Sequence, residues 1–123
     1  MYEYDPLTRQ IIGCAIEVHR CLGPGLLEQT YEEALCIEMT GSRLTYDRQV
    51  VTPVIYKDQI VGEYRPDLVV ERRVVIEVKS VAALQPVHQA QILSYMRLLK
   101  MPVGLLINFN HAVLRTGVRR LVI

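Results

Sequence analysis

The apolar positions of the chain follow two periods that change over along its length. Leu7, Ile11, Cys14, Ala15, Val18 and Leu22 recur every three or four residues, the stripe of an amphipathic helix. Asp5-Pro6 starts that helix with an acceptor side chain at the N-cap and proline at the first helical position, and Gly23-Pro24-Gly25 stops it. A second helix is expected from about Leu26 to Met39, ending near Gly41, with Leu27, Tyr31, Ala34 and Leu35 inward. From Arg43 to Tyr56 the pattern turns to β, carried by Val50, Val51, Val54 and Ile55, and Lys57-Asp58-Gln59 turns it back into Ile60-Val61 as an antiparallel hairpin. Leu68–Val70 and Val74–Val78 form the next strand pair. Pro86 opens a helix that runs to about Leu99 and closes at Lys100-Met101-Pro102. Val103–Phe109 is almost all apolar, as in a strand covered on both faces. Strand, helix and strand in that order predict a right-handed crossover between parallel strands. A last strand is expected over Val118–Ile123. The order α-α-β-β-β-β-α-β-β, without repeat or linker, predicts one α/β domain over residues 1–123, a mixed sheet flanked by helices.

Charge interrupts this pattern in one place. Glu77 and Lys79 stand two apart in the β-branched run Val74-Val75-Ile76-Glu77-Val78-Lys79, so both leave the same face of the strand. Asp67 heads the run before it. If Glu71-Arg72-Arg73 is a three-residue loop, Val70 pairs with Val74 and Asp67 falls opposite Glu77. A plain two-residue loop would set Asp67 opposite Val78, facing the other way. Convergent carboxylates therefore require a three-residue connection or a bulge.

Composition adds limits. The chain has 123 residues, half of them hydrophobic, with no apolar run approaching the roughly 20 residues of a membrane span. The opening Met1-Tyr2-Glu3-Tyr4-Asp5 is acidic and unlike a signal peptide, which predicts a cytoplasmic protein. Cys14, Cys21 and Cys36 form no CxxC and are expected reduced on a buried helix face. The net charge of +1 conceals an uneven distribution: two arginines against seven acids up to Ser42, then twelve Lys and Arg against six acids. The basic part holds Asp67, Glu77 and Lys79, which suits a polyanionic partner.

Two carboxylates are hard oxygen ligands and too few to enclose a divalent ion. They suit Mg²⁺, or Mn²⁺, completed by water and a substrate phosphate. Lys79 beside them suits orientation of an attacking water or neutralisation of developing charge. His19, His88 and His111 make no ligand spacing, and Gly23-Pro24-Gly25 lacks the ending of a phosphate loop. Arg65, Arg72, Arg73 and Arg97 are candidates to line a nucleic-acid track, with Arg115, Arg119 and Arg120 as a second cluster. Few aromatics and no Trp favour backbone contact over base stacking.

Pro66-Asp67, ten residues to Glu77, then Glu-Val-Lys, resembles the PD-(D/E)xK nuclease signature. Upstream, Gly25, Glu28 and Tyr31 read Gly-x-x-Glu-x-x-Tyr. Downstream, Gln91 and Tyr95 read Gln-x-x-x-Tyr, as in exonuclease-type members. Together these resemble the GxxExxY family of that superfamily, over about Leu7 to Val122. The resemblance implies a restriction-endonuclease-like core and a metal-dependent nuclease acting on DNA, or alternatively RNA. It implies Asp67, Glu77, the Val78 carbonyl and Glu28 as metal ligands and Lys79 as the catalytic lysine, with Gln91 and Tyr95 meeting a phosphate or supporting Lys79. The other reading is a nuclease-fold module that no longer cuts and serves as a protein- or nucleic-acid-binding subunit. A homodimer through the tail Leu121-Val122-Ile123 is expected, since so small a core needs further grip on its substrate.

Overall fold

The computed structural model describes residues 5–123; the acidic opening Met1–Tyr4 lies outside the described residues. Helix α1 (Pro6–Leu22) begins as its sequence predicts, with Asp5 accepting hydrogen bonds from the Thr8 backbone N–H at 2.9 Å and its hydroxyl at 3.0 Å. Gly23, at φ 69°, ends it where a side chain would be strained. Helix α2 (Glu28–Gly41) starts two residues later than expected. Leu27 takes the extended N-cap position and is 78% exposed rather than inward.

The stretch from Arg43 to Tyr56, expected as one strand, divides into β1 (Tyr46–Arg48) and β2 (Thr52–Tyr56), which belong to different sheets. Gln49, at φ 52°, turns the chain between them. β2 and β3 (Gln59–Tyr64) form a separate antiparallel hairpin with a register shift that leaves Val61 without a partner. β4 (Leu68–Val70), β5 (Val74–Lys79), helix α3 (Pro86–Leu99), β6 (Val103–Asn108), a short 3₁₀ turn (Leu114–Gly117) and β7 (Val118–Val122) complete the order. The main sheet runs β1-β4-β5-β6-β7, with β5 and β6 parallel and the other pairs antiparallel, so it is mixed as predicted.

The pleat of β5 distributes its residues between two cores. Val74, Ile76 and Val78 join Ile11, Leu35, Met39 and Phe109 under α1 and α2. Val75, on the opposite face, packs with Ile92, Tyr95, Met96 and Leu106 under α3. Gly104 lets α3 approach closely, because a Cβ there would press into Met96 and Ile92. Cys14 and Cys36 are buried free thiols, but Cys21 is exposed near the end of α1, where its turn leaves the core stripe. Among the described residues no helix is long and apolar enough to cross a membrane.

Candidate active site

The turn between β4 and β5 sets the site. Glu71 and Arg72 both take positive φ, 53° and 52°, and Arg73 donates its N–H to the Val70 carbonyl at 3.0 Å. Glu71 is held there by Thr45, whose N–H and hydroxyl both donate to its carboxylate at 2.6 Å. The connection is thus three residues long, and Val70 pairs with Val74, Val69 with Val75 and Leu68 with Ile76. One step further along that register, Asp67 faces Glu77. Their groups interlock: the Asp67 N–H donates to Glu77 Oε2 at 2.7 Å, and the Val78 N–H donates to Asp67 Oδ2 at 2.8 Å. N–H and C=O of one residue leave a strand on the same edge, so the Val78 carbonyl is directed towards the β4 side as well.

Glu77 is buried and Asp67 half-buried. Burial pushes the Asp67 carboxyl up to about 6, opposed by the Val78 N–H and reinforced by the charge of Glu32. Burial, then the neighbouring Asp67, pushes Glu77 up to about 8. Two acids side by side, with the charge of Asp67 raising Glu77 and that of Glu32 raising both, favour a cation between them. Among the described residues no three His, Cys or acidic side chains gather as a ready-made metal cage. Two carboxylates and a carbonyl are instead the donor set of a hard divalent ion that keeps waters and takes a phosphate oxygen, and the residues fit that group. Lys79 leaves β5 on the face of Glu77 and is half-buried.

The end of β5 is braced from two sides. Lys79 pairs with Asn108 across β6, and Phe109 N–H donates to the Lys79 carbonyl at 2.9 Å. Asn108 is fully buried and holds the next loop through Val81, accepting its N–H at 3.0 Å and donating to its carbonyl at 2.9 Å. From the other side, Glu28 accepts the Ser80 N–H at 3.1 Å and the Ser80 hydroxyl donates to the Leu26 carbonyl at 2.6 Å. Tyr31 stacks on Phe109 at 4.5 Å, donates to the Gly23 carbonyl at 2.5 Å and accepts from the Leu26 N–H at 3.1 Å. The Gly-x-x-Glu-x-x-Tyr residues therefore clamp the loop before α2 to the residue after Lys79.

Glu28 is bound to Ser80, and the α2 acid whose charge acts on both carboxylates is Glu32, one turn later. Glu32 is only 6% exposed and accepts from Arg48 at 2.8 and 3.1 Å. The Gln49 amide donates towards Glu32 at 3.3 Å and towards Asp67 Oδ1 at 3.4 Å, linking the two acids. Glu32, Gln49 and Asn108 were missed from sequence. The available signals were the four-residue step from Glu28 to Glu32, which keeps one helix face, and a polar residue ending an apolar strand.

Gln91 and Tyr95 share a face of α3 and line a groove of about 490 Å³ against the β2–β3 hairpin, with Arg97 at its rim. Tyr95 is a core residue as well, and burial, then the charges of Glu77 and Asp67, raises its hydroxyl. Arg65 is exposed, pairs with Glu63 at 3.4 Å and sits between the hairpin and Asp67. Arg72 and Arg73 stand apart from the other two arginines of the expected track. They lie in the turn, at the opposite end of the β4–β5 ladder from Asp67 and Glu77, about 10–13 Å away along the strands. Arg115, Arg119 and Arg120 lie at or on β7, the far edge of the sheet, and Arg120 is paired with Asp5 at 3.0 Å.

No curated protein and no solved structure matches the chain significantly. A family model does, described as the PD-(D/E)XK nuclease superfamily and matched over residues 5–121. That span takes in α1 through all but the last residue of β7, and with it both carboxylates and the lysine. The chain belongs to the PD-(D/E)XK nuclease superfamily.

Proposed function

We propose that this protein is a metal-dependent nuclease that hydrolyses phosphodiester bonds of DNA or RNA, in the manner of the GxxExxY family. The observation that carries the reading is the interlocked pair Asp67 and Glu77, desolvated side by side with Lys79 on the same strand face. Asp67, Glu77 and the Val78 carbonyl would hold Mg²⁺ or Mn²⁺, with Glu32, and Glu28 through Ser80, steadying them. Bound there, such an ion supplies Lewis-acid polarisation of the phosphodiester and a bound water of lowered pKa. Lys79 orients the attacking water and offsets charge as it develops on the phosphoryl oxygens. Gln91 and Tyr95 position the substrate backbone beside Lys79, and Asn108 keeps the strand end in place.

The direct test is a cleavage panel over single-stranded, duplex, branched and RNA substrates with Mg²⁺ or Mn²⁺. Wild type should cut at least one, with Lys79→Ala, Asp67→Asn and Glu77→Gln each slower by roughly 10²–10⁴-fold. Absence of cleavage across the panel would leave a binding module as the better reading. The expected homodimer is proposed through the edge strand β7 and the residue after it, where Val122 and Ile123 are 59% and 55% exposed. A monomeric mass by sedimentation at working concentration would refute it.

A further inference from the structure

The groove between α3 and the β2–β3 hairpin has a construction that phosphate contact alone does not need. Its hairpin wall carries Tyr64, 48% exposed, with its ring 6.2 Å from that of Tyr95 and tilted by 50°. Gly62, two residues earlier on the same strand face, lines the groove beside it. A Cβ on Gly62 would come within 3.2 Å of the Tyr64 ring, and its backbone is not in the left-handed region, so the missing side chain keeps space open rather than permitting a turn. The register shift at Val61 brings that residue into the wall too, completing an apolar side with Val54 and Leu98. The polar end is formed by Gln91, Ser94 and Arg97 of α3.

We propose that this groove takes one unstacked nucleobase of the substrate strand, next to the phosphate bound at Asp67 and Glu77, and that the substrate is therefore single-stranded or locally unpaired. This rests on the nuclease reading for its position beside the carboxylates, and it deepens that reading by naming the substrate class. The volume of about 490 Å³ accepts a nucleotide and is far too small for a duplex. Tyr64 offers an exposed π-face, the apolar wall suits the flat body of a base, and Arg97 at the rim faces the charge of the backbone outside. Tyr95 lines the groove and packs with Val75 on the face of β5 that also carries Glu77, which sets the groove beside the carboxylates. Base stacking thus enters through Tyr64, which the sequence pattern does not single out, with Tyr95 buried behind it.

The test is fluorescence anisotropy of labelled oligonucleotides in EDTA, where the proposed chemistry is off, run beside Mg²⁺ cleavage assays. A single-stranded oligomer should bind at least tenfold tighter than the blunt duplex of the same sequence. Tyr64→Ala should weaken single-strand binding by roughly tenfold, Tyr64→Phe should retain it, and Gly62→Val, which fills the groove without removing the ring, should lose it. The last two keep the result readable if Tyr64→Ala disturbs the hairpin. Equal affinity for single strand and duplex, or unchanged binding in both Tyr64→Ala and Gly62→Val, overturns the proposal. Cleavage that depends on Lys79 with binding indifferent to Tyr64 and Gly62 would leave the nuclease reading standing and remove the groove. Tyr64-dependent single-strand binding without cleavage of any substrate would keep the groove and remove the nuclease.

Discussion

At the scale of single residues, two acids of α2 compete for a role at the carboxylate pair, and the structure separates them. Glu28 is exposed and fastened to the Ser80 N–H, whereas Glu32 is buried and linked through the Gln49 amide to Asp67. A negative charge that raises both Asp67 and Glu77 in the free protein strengthens the attraction of a divalent ion once one is present. Glu32→Gln keeps the shape and leaves Arg48 a second partner in Glu33 at 2.9 Å, so the fold should survive. Its Mn²⁺ affinity by calorimetric titration should fall about tenfold or more, the usual effect of removing a group behind a metal ligand. Glu28→Gln should change that affinity less, since its contact is with a backbone N–H. A larger loss in Glu28→Gln than in Glu32→Gln would make Glu28 the direct participant.

Among the elements, the β4–β5 turn has the greatest leverage, because the period of a strand is two. Deleting Arg73 leaves a two-residue connection. β5 is fixed by β6 and by helices on both faces, so the three-residue β4 is the strand that must slip, turning Asp67 to the opposite face. The deletion should remove Mg²⁺-dependent thermal stabilisation and cleavage together while circular dichroism stays close to wild type; retention of both would mean that a bulge restores the register. The start of α1 offers a second check. Burial alone would raise Asp5, but bonds from Thr8 and Arg120 outweigh it and its pKa lies below the ordinary 3.8. A carboxylate lowered on folding contributes stability that is present above its unfolded pKa and lost as pH falls through the folded one. Asp5→Ala should therefore cost about 1 kcal/mol near neutral pH, less as pH drops below about 4, in urea melts run from pH 2 to 7. The cap was legible in the sequence, because the Asp-Pro pair is a local signal; the register was legible only as a condition, since Glu71 and Arg72 carry no glycine-like mark of the positive φ that makes the turn three residues long. The split of Arg43–Tyr56 was not, since Gln49 carries no glycine-like mark of its left-handed φ. Nor were Glu32 and Asn108, whose roles depend on what the folded chain packs against them.

For the whole molecule, the distribution of charge limits how nucleic acid is held. The acids of the first 42 residues lie chiefly on α1 and α2, while the groove and carboxylates sit towards α3. Of the later basic residues, Lys79, Arg65 and Arg97 are near the groove; Arg72 and Arg73 are in the turn at the other end of the ladder, and Arg115, Arg119 and Arg120 are at the far edge of the sheet. Sequence alone groups Arg65, Arg72, Arg73 and Arg97 as one track, because four arginines within one basic stretch look contiguous until the hairpin direction is known. About three phosphate contacts on a single strand predict a log-affinity against log-salt slope of roughly −2. That slope, measured by anisotropy in EDTA between 50 and 200 mM salt, should be unchanged by Arg72→Ala and Arg119→Ala and become shallower by roughly 0.7 in Arg97→Ala. A slope near −5, reduced by the turn or edge variants, would mean that the strand wraps the sheet and that its grip lies well beyond the groove. The shallow slope is expected because stacking in the groove, which salt screens little, would then carry a share of the affinity that a more basic nuclease draws from the backbone.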